Sequence, residues 1–119
     1  QTALMPLKEN NFEVAIIQFD SLINVIPSGP LLTAAHYSKG DAFSELEEWK
    51  AAGKSYLESF KLEPDGKYAA KALMNVGISL GKMQKINEAC NILNRVEARF
   101  PRNQIVEEAQ YEMQILGCS

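Results

Sequence analysis

An interval of 37 residues constrains this chain more than any other feature. Ala15, Ala52 and Ala89 stand 37 apart, and so do Pro27, Pro64 and Pro101. Phe19, Tyr56 and Leu93 follow each alanine by four residues, and Ala3, Gly40 and Gly77 precede it by twelve. A fixed period in the range of about 20 to 50 residues marks stacked supersecondary units, none of which can bury its apolar face alone. A small residue at a recurring position lets two helix axes approach to roughly 8–10 Å, and the large residue that follows fills the next layer. The four columns therefore predict a small solenoid with a long curved surface suited to holding other proteins.

Punctuation divides the chain into seven predicted helices. The first covers residues 1–8 and ends at Glu9-Asn10-Asn11, where asparagines favour a tight turn. The second covers 12–25, with Phe12, Ala15, Ile16, Phe19, Leu22, Ile23 and Ile26 on one stripe, and Pro27-Ser28-Gly29-Pro30 stops it. Helices over 31–46 and 49–61 follow, closed by Glu63-Pro64-Asp65-Gly66, and then 67–82 and 86–100, closed by Pro101-Arg102-Asn103. A last helix over 104–116 has no partner and caps the array. It turns Val106, Ala109, Met113 and Leu116 inward and Glu107, Glu108 and Glu112 to water, with Gly117 as C-cap. No stretch alternates with period two, so no strands are expected.

At 119 residues the chain is long enough for one continuous core and short for two. Its 46% hydrophobic and 23% charged residues are those of a folded globular protein. Fifteen acidic against twelve basic side chains give a net charge of -3, without the basic face that a nucleic-acid partner needs. Apolar runs fall far short of the roughly 20 residues that span a bilayer, so no membrane insertion is expected. The opening Gln1 in place of methionine reads as a mature protein or an excised domain.

In the second unit Gly40, Phe43, Ala52, Tyr56 and Pro64 sit at the offsets of the tetratricopeptide pattern, and in the third Gly77, Leu80, Ala89, Leu93 and Pro101 do. The first unit is worn: Ala3, Ala15, Phe19 and Pro27 fit, but Pro6 stands where an aromatic is expected. The fold expected is all-α, a tetratricopeptide-like right-handed array of three helix pairs plus a C-terminal capping helix. It forms a single domain over 1–119, with units at about 1–29, 30–66 and 67–103 and the cap at 104–116. Units longer than 34 residues, the run from Pro64 to Leu73, Glu88-Ala89-Cys90 and the terminal Gly117-Cys118 resemble the C-terminal domain of the Tol-Pal system cell-division coordinator family (YbgF/CpoB). Trp49 and the stretch His36-Tyr37-Ser38-Lys39 depart from that family's pattern.

The resemblance implies a periplasmic, non-catalytic scaffold of the bacterial envelope. Such a domain binds TolA, helps couple septal peptidoglycan synthesis to outer-membrane constriction in division, and is joined in the full-length protein to a trimerising N-terminal coiled coil. It implies a protein partner, TolA-like or a peptidoglycan synthase, no cofactor, and a monomeric repeat domain. A subunit of an outer-membrane assembly or secretion machinery is the alternative. First-helix positions that face the concave side of such arrays are Leu4 and Leu7, then Tyr37, Asp41 and Ser44, then Lys71, Met74 and Ile78, with Tyr37 and Met74 at the groove's centre.

Cys90 and Cys118 are the only thiols, in no CxxC motif and without the further ligands of a usual zinc site. They are either inert thiols or, in the oxidising periplasm that the resemblance implies, a disulfide tying the capping helix to the sixth helix. Matching helix lengths leaves Cys118 about two turns past its partner, so Gly117 would have to turn the chain back. His36 is the sole histidine and has no nucleophile at recognisable spacing; an enzyme would need it to converge with carboxylates in a deep polar pocket. Glu45, Glu47 and Glu48 read as a solvated face.

Overall fold

Glycine and proline set the first boundary. Gly29 takes φ 103°, a left-handed value open to glycine, and its carbonyl receives the N–H groups of Leu32 and Thr33. Pro30 then starts a helix where its missing N–H costs nothing. The computed structural model describes residues 4–119, with side chains from residue 11 onward. Six helices result: α1 (Leu4–Val25), α2 (Pro30–Glu45), α3 (Trp49–Leu62), α4 (Ala69–Lys82), α5 (Ile86–Arg99) and α6 (Ile105–Leu116). The described residues contain no strand.

Five boundaries fall within two residues of their sequence-based positions, and the first does not. The break expected at Glu9-Asn10-Asn11 is absent: α1 is one helix through those residues, so the described residues form six helices where seven were expected. Pro6 is tolerated because it lies in the first turn, where N–H groups have no intrahelical acceptor. Asn10 and Asn11 are weak helix formers, but propensity of a few tenths of a kcal/mol per residue does not by itself break a helix.

The two joints that follow are alike bond for bond. Between α2 and α3, the N–H of Glu47 meets the carbonyl of Ser44, that of Glu48 meets Phe43, and that of Ala52 meets Glu48. Between α4 and α5, 37 residues on, Gln84 bonds Gly81, Lys85 bonds Leu80, and Ala89 bonds Lys85. The residue at the tip is left-handed both times, Glu47 at φ 58° and Gln84 at φ 65°. Neither is glycine, so each joint carries a local strain of about 1–2 kcal/mol that the packing on both sides holds in place.

That packing uses the recurring small residues. A Cβ on Gly40 would lie 2.8 Å from the Tyr56 ring, and one on Gly77 would lie 2.8 Å from Leu93 Cγ and Cδ2. Only hydrogen fits at either crossing, so α2 sits directly on α3 and α4 on α5. Each helix packs on the next along the chain, and α4 also meets α6. Two core clusters follow, one around Tyr37, Ala52, Tyr56, Ala72 and Val76, the other around Leu73, Met74, Leu93, Val96, Val106 and Ala109. Full burial of a side chain such as Leu93 contributes about 1.5–3 kcal/mol.

The C-terminal end is tied down covalently. Cys90 and Cys118 are joined, their Cα atoms 5.7 Å apart. Gly117 takes φ 74°, its N–H bonds the Gln114 carbonyl and the N–H of Cys118 bonds that of Met113. These two bonds are the Schellman arrangement, which satisfies carbonyls of the last turn while reversing the chain. The reversal absorbs the excess length of α6 and returns Cys118 toward the first turns of α5.

Candidate binding surface

Helices α2, α4 and α6 carry equivalent positions 37 residues apart, but their burial differs. Tyr37, Met74 and Tyr111 form one such column and are 6%, 1% and 61% exposed. Met74 belongs to the second core cluster with Val106 and Ala109, and Ile105 packs against it, so α6 covers it. Tyr37 is covered by Tyr68, stacked at 4.9 Å between ring centroids, and by Tyr56, edge-on at 5.4 Å. The expectation that Tyr37 and Met74 form the centre of an open groove is therefore corrected: both are core residues, closed over by the next segment of chain.

The other expected groove residues divide three ways. Asp41 and Lys71 are exposed; Ser44 and Ile78 are half-buried, Ile78 packing against the core. Leu4 and Leu7 lie outside the described side chains. Two residues missed by sequence reasoning are the most accessible apolar groups of this column set, Tyr111 (61% exposed) and Ile115 (60%), one turn apart on α6. The signal for them was present, since they continue the columns of Met74 and Ile78 by another 37 residues.

Polar groups organise the surface between these helices. Tyr56 donates its hydroxyl proton to Asp41 Oδ1 at 2.5 Å, so Ser44 Oγ, at 3.1 Å, must donate to the Tyr56 oxygen. Burial and the Asp41 carboxylate both push the Tyr56 phenol well above its ordinary pKa. Burial does the same to Tyr37, with Asp41 adding repulsion, while the bond donated by Asn75 Nδ2 to its oxygen at 3.2 Å works in the opposite sense. Glu108 adds a smaller repulsion at Tyr37.

A cavity of about 270 Å³ gathers His36 with Asp20, Glu58, Lys39, Lys54 and Ser55, and with the apolar Phe43 and Ala51. Burial and Lys39 lower the His36 pKa; Glu58 and Asp20 oppose them. Asp20 is engaged by Lys39 Nζ at 2.6 Å. His36 thus has carboxylates and a hydroxyl nearby, but no hydrogen bond orients it toward either, which general-base activation of a nucleophile requires. Among the described residues no three histidine, cysteine, aspartate or glutamate side chains converge as metal ligands would.

No helix among the described residues is long and apolar enough to cross a membrane. No protein-family model matches the chain, and no curated protein is detectably similar to it.

Proposed function

We propose that the chain is a non-catalytic protein-binding scaffold, a tetratricopeptide-like right-handed array in which α1 is the second helix of the first unit, α2–α3 and α4–α5 are full pairs, and α6 is the cap. The observation that carries this reading is the bond-for-bond recurrence of two helix joints at 37 residues, with a glycine crossing inside each pair. Stacking of such units leaves one run of first helices facing outward, and a surface of that kind holds extended or helical segments of other proteins.

The capping role of α6 has independent support. Where α2 and α4 carry Gly40 and Gly77, α6 carries Gln114; where α4 carries Ala70 and Leu73, α6 carries Glu107 and Gln110. Polar residues in the columns that receive the next helix end the array.

The partner is a segment of an envelope protein of the TolA kind, held in the periplasm during septal peptidoglycan synthesis and outer-membrane constriction. The Cys90–Cys118 bond supports an oxidising compartment, because disulfides persist outside the reducing cytosol. The contact surface is Tyr111 and Ile115 of α6, both exposed, in place of the buried Tyr37 and Met74. Aromatic anchors of this kind dominate binding energy at interfaces. The double substitution Tyr111→Ala with Ile115→Ala should lower affinity for a soluble TolA domain at least about tenfold in a calorimetric titration, with helicity unchanged. Equal affinity of the variant and the parent would refute this surface.

A further inference from the structure

Arginine is used in one place only. Arg95, Arg99 and Arg102 are the chain's three arginines, all at the end of α5 and in the turn after it, whereas its lysines run from Lys8 to Lys85. Repeat packing does not call for them. The residues 37 places before Arg95, Ala98 and Arg99 are Glu58, Lys61 and Leu62 on α3, where Lys61 Nζ pairs with Glu58 Oε2 at 4.0 Å. Arg99 suits the last turn of α5, because a cation there meets the negative end of the helix dipole. Arg95 lies one turn further in, is exposed, and joins no ion pair among the described residues.

Arg95 and Arg99 flank a groove of about 430 Å³ whose other walls are Phe60 of α3, Leu73 of α4 and Ala98 of α5. Each of these three helices has described neighbours on both sides along the chain, so the groove does not depend on either chain end. Arg99 is already oriented. Its Cζ stands 5.5 Å from the Phe60 ring centroid and 5.6 Å from that of Phe100, and its Nη2 donates to Asp65 Oδ1 at 3.1 Å. Stacking on the rings fixes the guanidinium plane and leaves further N–H donors unused. Asp65 is exposed, and an ion pair made in water is weak enough to yield to a better-placed carboxylate.

We infer that the α3–α4–α5 groove holds a short acidic segment of another protein, with a bulky apolar side chain against Phe60, Leu73 and Ala98 and adjoining carboxylates on Arg95 and Arg99. Charge and floor together choose this occupant. Two guanidinium groups above an apolar floor match a carboxylate next to hydrocarbon, and guanidinium binds carboxylate through paired N–H bonds. A bare phosphate leaves the floor uncovered, and the negative end of α5 opposes its second charge. Size excludes a whole helix, since the volume is near the lower end of the roughly 300–1,000 Å³ typical of small-ligand sites. The groove deepens the scaffold reading and rests on it, but not on the Tyr111–Ile115 surface.

The probe is the blocked peptide acetyl-Asp-Phe-Glu-amide, titrated into the full 119-residue protein labelled with nitrogen-15. With three arginines in the chain, three side-chain Nε–H signals are followed, each identified through Arg95→Gln, Arg99→Gln or Arg102→Gln. The Arg95 and Arg99 signals should move saturably, with a Kd of about 0.1–1 mM. Arg95→Gln should weaken binding at least about tenfold, and Asp65→Asn, which releases Arg99, should tighten it about two- to fivefold. Equal binding of the neutral acetyl-Asn-Phe-Gln-amide, or of acetyl-Asp-Ala-Glu-amide, overturns the inference. So do inorganic phosphate saturating the same signals at the same concentration, and no saturation at about 10 mM peptide. Sedimentation of the free protein should return a monomer; a dimer abolished by Arg95→Gln assigns the groove to a second copy and likewise overturns it. No TolA domain enters this titration, so this groove and the Tyr111–Ile115 surface fail separately.

Discussion

Replacing Gly77 with alanine sets two opposed effects against each other, and the structure decides the sign. Alanine is favoured over glycine inside a helix by about 0.8–1.0 kcal/mol. The new Cβ, however, would stand 2.8 Å from Leu93 Cγ and Cδ2, and Leu93 is wholly enclosed by the second core cluster. Overpacking of a filled core costs about 1–3 kcal/mol, so Gly77→Ala should destabilise the protein by roughly 1 kcal/mol. Leu93→Ala alone removes buried methyls and should cost about 2–5 kcal/mol. In that truncated background the obstacle is gone, and Gly77→Ala should now stabilise by nearly its full helix-forming advantage. The coupling in the double-mutant cycle is therefore about 1–3 kcal/mol with a reversal of sign. Urea unfolding followed by helical circular dichroism measures all four corners. If Gly77→Ala stabilises both backgrounds alike, with coupling under about 0.5 kcal/mol, α4 and α5 do not cross through this glycine and the argument for the paired crossings fails.

Two further outcomes concern covalent and protonic linkage. The Cys90–Cys118 bond spans 28 residues, and in the chain-entropy account closing such a loop contributes roughly 3–4 kcal/mol; dithiothreitol should lower the urea midpoint accordingly, and unreduced intact mass should lie two hydrogens below the free-thiol value. Tyr37 and Tyr56 hold their protons more tightly in the folded chain than in the unfolded one, so the stability they confer is complete below pH 10 and is lost as pH rises above it. Phenolate absorbance of these two should therefore appear together with loss of helicity in alkaline titration, and early ionisation at full helicity would contradict their burial.

Helices α2 to α6 were legible because their ends carry local chemistry: Pro30, Pro64, Pro101 and Gly117 act within a turn of where they stand. The glycine columns were legible for a related reason, since only close backbone approach demands a missing Cβ at Gly40 and Gly77. Burial along the column Tyr37, Met74, Tyr111 was not legible. All three have the same place on their own helices, and what separates 1% from 61% exposure is whether a later segment lies on top, Ile105 and Val106 in one case and nothing described in the other. Continuity of α1 was also hidden. Asn10 falls 37 residues before the left-handed Glu47 and would suit a turn, yet a turn is kept only when the helix before it is fixed by packing. The cavity around His36 was invisible because Asp20, Lys39 and Glu58 come from three different helices.

The bond between Cys90 and Cys118 gives the molecule a direction of wear. At that end α6 cannot peel away, because its last turn is anchored to the helix it would leave. At the other end α1 rests on α2 with its inner alanine and phenylalanine only half covered. Thermal opening is therefore expected to start at α1, whose backbone amides should exchange before those of α4 and α5. Proteases cutting within the first thirty or so residues leave behind a smaller body that is still laced shut at its far end.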